Sequence, residues 1–278
     1  MKRIAFSLII FLLVFMVGCI DVSFDINHFN QQQTTSTTYS VSDGTIAYDN
    51  ADYHQFSTFD SENEGLDTLD EITDVLIQTQ TEIRLSNVKI ETIIYSFPGV
   101  NTQSGSAVIF SEDNNYYYIV TNRHVIESNK RSVEYEVHIP SSDSAYTAVL
   151  IAENEDLDLA ALRFEKTDNM DLTVMDLTSR LHTKYNPGEL VLTVGNPGEL
   201  ENNVTYGEFI EMIGLESYDH HVIHHSAAIH SGSSGGALVD VYGNFLGINT
   251  WGSDSSYEDS FAIPSYIVYM FLFNNGLM

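Results

Sequence analysis

Cysteine is almost missing from this 278-residue chain: Cys19 is the only one. No intrachain disulfide can form, and no thiolate-rich metal site can be built. Basic side chains are nearly as scarce, with 11 Lys and Arg against 39 Asp and Glu, a formal charge of −28. A surface of that sign is repelled by phosphate backbones and anionic headgroups, which argues against nucleic-acid binding. Long hydrophobic runs are limited to one, near the N-terminus. The hydrophobic content of 43% nevertheless supplies a real core for one large or two modest domains, so disorder throughout is excluded.

The few positive charges are unevenly spread. Lys2 and Arg3 precede an uncharged run, Ile4 to Gly18, that ends at Cys19. The apolar stretch from Phe6 to Val17 is shorter than the roughly 20 residues a spanning helix needs. With its basic lead it reads as a secretory signal. Its end, Met16-Val17-Gly18-Cys19, resembles the lipobox of bacterial lipoproteins. That resemblance implies a signal peptide over residues 1–18, lipidation of Cys19, and a chain tethered at the extracytoplasmic face of a bacterial membrane, touching lipid only through its anchor.

Residues 19–65 have a different composition, rich in Gln, Thr and Ser without apolar period. Between Asp21 and Asp74 stand twelve carboxylates and no basic side chain. Such a segment cannot offset its ordering entropy and reads as a disordered, self-repelling stalk. Leu69, Ile72, Leu76 and Ile83 then fall at helical spacing. From Lys89 onward short β-rich runs recur: 89–95, 106–110, 116–121, 133–139, 147–151, 159–164, 190–194, 204–213, 221–229 and 244–251. Many short strands between Gly, Asn, Asp and Ser clusters predict an all-β barrel or sandwich architecture. The stretch 168–187 reads as a link between two halves, which gives units 66–167 and 168–278. A helical pattern returns over Ser265–Asn274, with Ser265 as candidate cap and Gly276 past its end.

Three segments carry residue types suited to nucleophilic catalysis. Thr121-Asn122-Arg123-His124-Val125 sets a histidine after an apolar strand. Asp156-Leu157-Asp158-Leu159-Ala160 sets carboxylates before another. Ser231-Gly232-Ser233-Ser234-Gly235-Gly236 sets serine in a glycine-flanked turn. Serine catalysis needs a hydroxyl, an imidazole base and a carboxylate that fixes the imidazole tautomer. Glycines beside the serine let adjacent N–H groups aim at one point, as an oxyanion site requires. The turn also fits the G-x-S-x-G elbow of α/β-hydrolases. Those enzymes need a histidine downstream of the serine, and none follows His230.

The three segments resemble those of trypsin-fold serine proteases, specifically the HtrA/Deg-like branch. Val194-Gly195-Asn196-Pro197, Ala227-Ala228-Ile229, Leu246–Thr250 and Phe261–Ser265 match further blocks of that family in order. The resemblance covers about residues 85–275 and implies two six-stranded antiparallel β-barrels with short N- and C-terminal helices. It makes His124 the base, Asp158 its orienting carboxylate and Ser234 the nucleophile. The oxyanion site falls at Gly232, Ser233 and Ser234. Ser231, Ser233 and Ala237 depart from the family's Pro, Asn or Asp, and Pro.

The resemblance further places the substrate pocket at Ala228, Ile229, Thr250, Trp251 and Gly252, and implies cleavage after small or medium apolar residues. Protein or peptide substrates follow, with no cofactor and no metal. The histidines His220, His221, His224, His225 and His230 read as strand or rim histidines: His221 and His225 share one strand face, His220 and His224 the other. The 13 residues after Ser265 leave no room for the PDZ domain common in that family. No trimer-forming N-terminal segment is identifiable, so an oligomer is unsupported. The expectation from another class is a catalytically silent lipoprotein of the same fold that binds extended peptides.

Overall fold

The structure, a computed structural model, describes residues 57–58 and 69–278, apart from 128–131, 141, 143, 169, 199, 216–217, 219 and 253–258. The expected signal peptide, the lipidation site Cys19 and nearly all of the expected stalk lie outside the described residues. Within that stalk, β1 (Ser57–Thr58) pairs in parallel with β8 (Thr183–Lys184).

Helix α1 (Leu69–Leu85) leads straight into the first barrel. Its strands are β2 (Asn87–Ser96), β3 (Gly99–Glu112), β4 (Tyr116–Thr121), β5 (Val133–His138), β6 (Ala145–Asn154) and β7 (Leu159–Glu165), with one-turn helix α2 (Arg123–Ile126) after β4. They close in the order β2-β3-β4-β7-β6-β5. The second barrel comprises β9 (Leu190–Gly195), β10 (Asn203–Gly214), β11 (His221–His225), β12 (Ala237–Asp240), β13 (Phe245–Gly252) and β14 (Ser260–Pro264). It closes in the order β10-β11-β14-β13-β12-β9, again wholly antiparallel. The two expected six-stranded barrels are therefore present.

Several strands are apolar at every position because both faces are covered. On β3, Ala107 and Ile109 point into the first barrel, while Val108 and Phe110 pack with the second. On β7, Ala160 and Leu162 fill the first barrel, and Leu159 and Ala161 turn to its neighbour. Period-2 alternation thus divides each strand between a barrel interior and the seam between barrels. Complete burial of such side chains stabilises by about 1.5–3 kcal/mol each, so the seam is as apolar as either core. The seam is where the site forms.

Two devices tie the linking segments down. Arg180, fully buried in the expected link, pairs with Glu189 and with Asp240 at 2.9 Å, and donates to Lys184 O at 3.0 Å. Helix α1 crosses to the second barrel, where Thr79 Oγ1 donates to Val241 O at 2.6 Å and Arg84 Nε to Asn202 O at 3.1 Å.

Helix α3 (Ser265–Asn274) occupies the expected range. Its cap differs from the expectation: Pro264 holds the N-cap position, and Ser265 is the first helical residue, with its hydroxyl on Tyr185 OH at 3.2 Å. Proline suits the extended conformation there and loses no needed donor. At the other end Leu277 N bonds to Leu272 O and Gly276 N to Phe273 O, both at 3.0 Å. This is a Schellman closure, and Gly276 supplies its left-handed residue at φ +68°.

Candidate active site

His124 stands on α2 directly after β4. Its ring Nδ1 lies 2.8 Å from Asp158 Oδ2, and its backbone N–H donates to Asp158 Oδ1 at 2.9 Å. Both contacts depend on an unusual backbone. Asp158 has φ +52°, a left-handed conformation that costs a non-glycine residue energy but that Asp tolerates better than most. Its carbonyl is fixed there by Arg123 N–H at 3.0 Å and Asn122 Nδ2 at 3.2 Å. The histidine segment and the carboxylate turn therefore hold each other at main-chain level, not only through the ring. Asp156, Glu153 and Glu155 are exposed, and the last two flank Arg123 at 3.3 and 3.7 Å.

The serine turn belongs to the second barrel and is shaped by its glycines. Ser233 N donates to His230 O at 2.8 Å, closing a four-residue turn with Gly232 at its third position. Gly232 has φ +99°, as a type II turn demands, and a Cβ there would meet Asn196 O at 2.4 Å. Gly235 likewise has φ +89°, and a Cβ would fall 2.0 Å from Ser106 O. Of the three expected oxyanion donors, Ser233 departs from the expectation: its N–H is consumed by the turn.

A residue of the first barrel locks this turn in place. Ser106 on β3 donates its hydroxyl to Gly232 O at 2.8 Å and its backbone N–H to Ser234 O at 2.8 Å. Its Oγ also accepts Asn196 N–H at 2.8 Å and Asn196 Nδ2 at 3.1 Å. Sequence reasoning missed Ser106, because a buried serine within a strand carries no motif of its own.

Thr250 completes the arrangement. The β13–β14 register shifts between Asn249 and Trp251, so Thr250 sits at a bulge. Bulges re-aim side chains beside functional sites. Its Oγ1 donates to Asp158 Oδ2 at 3.0 Å, while its carbonyl accepts Ser234 Oγ at 2.7 Å. Among the described residues no hydrogen bond joins Ser234 Oγ to the His124 ring. A cavity of about 380 Å³ is lined by His124, Ser234, Ile229, Thr250, Trp251 and Gly252, together with Tyr218, His230 and Ser231. Four of the five expected pocket residues line it. Ala228 does not: it lies past the end of β11, and its carbonyl takes the Thr205 hydroxyl at 2.7 Å.

Residues 105–248 match the trypsin-like peptidase domain. The chain belongs to the trypsin-like peptidases. Among relatives of this chain, serine protease HTRA1A of Danio rerio is 32% identical over 186 residues, 65% of this chain and 36% of its own length. A probable periplasmic serine endoprotease, DegP-like, of Buchnera aphidicola is 34% identical over 151 residues, 52% of this chain and 30% of its own. The serine endoprotease of Yersinia pestis superposes with a TM-score of 0.56 at 26% identity, over 72% of this chain and 66% of that one. The chain thus spans about a third of the length of these two curated relatives. Their names agree with the HtrA/Deg-like branch expected from the motifs.

The remaining histidines divide by burial. His225 on β11 is fully buried, and desolvation pushes its pKa down to about 3. His220 is also buried, next to the strand, with Nδ1 on His221 O at 2.9 Å. His224 stays at the rim, stacked on Phe261 at 5.0 Å with Nε2 3.2 Å from Asp259. Among the described residues, one group could hold a cation: Glu91, Glu136 and His138 on the outer face of the first barrel bring ligand atoms within 4.8 Å. Lys89 Nζ already pairs with Glu91 there and offsets its charge.

Proposed function

We propose that this chain is a serine endopeptidase that cleaves peptide bonds through an acyl-enzyme. Ser234 is the nucleophile, His124 the general base and acid, and Asp158 the carboxylate that holds the imidazole with its proton on Nδ1. The observation that carries this reading is the contact of His124 Nδ1 with Asp158 at 2.8 Å on the wall of the cavity that also contains Ser234. With Nδ1–H given to the carboxylate, Nε2 keeps a lone pair for the serine proton. Ser234 leaves Thr250 O, transfers its proton to Nε2 and attacks the carbonyl carbon. The backbone N–H groups of Gly232 and Ser234 receive the oxyanion, each such donor being worth roughly 3–4 kcal/mol. The imidazolium then returns the proton to the leaving amine, and water repeats the sequence on the ester.

The β13 segment Thr250-Trp251-Gly252 pairs with the substrate backbone, an added-strand mode of recognition. Ile229, Trp251 and Gly252 make an apolar pocket that takes small or medium apolar side chains after which the chain is cut. Excess negative charge mildly favours basic or unfolded substrates. The enzyme acts outside the cytoplasm, tethered through lipid on Cys19. A second reading, a silent peptide-binding protein, is favoured by one observation: Ser234 Oγ bonds Thr250 O and not His124. Digestion of a peptide library separates the two. Cleavage after Ala, Val or Leu that disappears in Ser234→Ala supports the endopeptidase, and cleavage mainly after Arg, Lys or Glu refutes the pocket assignment. Binding without cleavage refutes the enzyme.

A further inference from the structure

The connection between β10 and β11 brings one more side chain to the cavity, Tyr218. Its backbone N–H donates to Leu215 O at 3.0 Å. The phenol reaches Thr250 Oγ1 at 2.9 Å. That hydroxyl lies 3.0 Å from Asp158 Oδ2, which in turn lies 2.8 Å from His124 Nδ1. Three short contacts therefore run in single file from Tyr218 to the histidine.

Counting protons fixes the direction of the file. An ionised carboxylate only accepts, so the one hydroxyl proton of Thr250 points at Asp158. Thr250 Oγ1 is then an acceptor toward Tyr218, and the phenol must donate. Burial pushes the Tyr218 pKa up to about 12, so the phenol keeps its proton over the range in which a histidine base works.

The geometry points to Tyr218 as a positioning residue for the reaction proposed above: by donating to Thr250 Oγ1 it turns the threonine proton onto Asp158, and so sets the charge Asp158 presents to His124. Without the phenol, the threonine hydroxyl is free to rotate and Asp158 loses a fixed donor. A carboxylate with fewer donors concentrates its charge and stabilises an imidazolium more strongly. The imidazole would also lose part of its fixed orientation. Among the described residues, the other ionisable groups facing this file are His220, whose ring centre lies 5.3 Å from that of Tyr218, and His230 on the cavity wall.

The test is a double-mutant cycle on the full chain: wild type, Tyr218→Phe, Thr250→Val and the double variant. In the wild-type background Tyr218→Phe is expected to lower kcat about fivefold, the loss of one net hydrogen bond, and to move the acid limb of kcat/KM to higher pH. In the Thr250→Val background the same change is expected to do neither. Equal effects in both backgrounds, or an unmoved acid limb in the first, would overturn the positioning role, because packing by the phenol ring does not depend on the threonine hydroxyl. The downfield NMR resonance of the His124 Nδ1 proton gives a readout that needs no turnover. It should shift on Tyr218→Phe only when Thr250 is present, and a shift in neither or both backgrounds overturns the file. Absence of peptide cleavage by the wild type sinks the endopeptidase reading alone, and the resonance still decides the role of Tyr218.

Discussion

The Ser234 hydroxyl and the Thr250 carbonyl oxygen are 2.7 Å apart, so the serine is hydrogen-bonded to the strand proposed to bind substrate. If that strand pairs with a peptide, the peptide N–H entering beside Ser234 competes for the same carbonyl. Substrate binding would then release the hydroxyl toward His124. A peptidyl phosphonate with a free N–H next to its phosphorus should inactivate the enzyme about tenfold faster than its N-methyl counterpart, the value of roughly one hydrogen bond. Equal rates would show that Thr250 O plays no part in release.

Asp158 links a left-handed backbone to the histidine contact. Asparagine also tolerates that conformation, so Asp158→Asn should fold with an unchanged melting temperature. Its amide cannot hold Nδ1–H in the required tautomer, and kcat should fall by roughly 10³–10⁴-fold. Steady-state kinetics beside a thermal melt checks both halves.

Ser106 reaches across the seam to hold the turn that carries Ser234. Ser106→Ala leaves Gly232 O and the Asn196 donors without their buried partner, at a cost of about 1–3 kcal/mol. Because the freed carbonyl belongs to Gly232, whose own N–H is one of the proposed oxyanion donors, kcat should fall more than KM changes. Urea unfolding and peptide hydrolysis, measured on the same sample, test the pair of effects.

His225 makes stability depend on pH in a direction that can be worked out. Desolvation holds its folded pKa at about 3, below the ordinary value of 6.5, so the unfolded chain binds the proton first. The stabilising contribution is complete above pH 6.5 and is lost as pH falls toward 3, by about 4–5 kcal/mol in all. His225→Leu should flatten this limb of the stability curve. A limb of unchanged depth in that variant would contradict the assignment.

Much of this arrangement is legible in the sequence, for physical reasons that differ by element. Strands β4, β7 and β9 lie near their expected ranges because most of their positions, on both faces, are buried and apolar. Strand β3 runs over Gly99–Glu112 where only 106–110 was expected. Its first half, Gly99–Ser104, is a polar hairpin arm held by pairing with β2 and not by burial. Strands β12 and β14 fall outside the expected β-rich runs, and β14 is marked only by the Phe261–Ser265 block. At the site, His124, Asp158 and Ser234 lie in local motifs. Thr250 and Ser106 act through contacts 92 and 126 residues distant along the chain, which no local pattern records. Tyr218 lies between β10 and β11, outside any motif, and only the closed barrel brings it to Thr250.

The most direct measurement is the intact mass of the full chain after exposure to a fluorophosphonate, followed by peptide mapping. A single adduct on Ser234, lost in Ser234→Ala and strongly slowed in His124→Ala, is the expected result. No adduct, or one elsewhere than Ser234, would contradict a serine endopeptidase built on His124, Asp158 and Ser234.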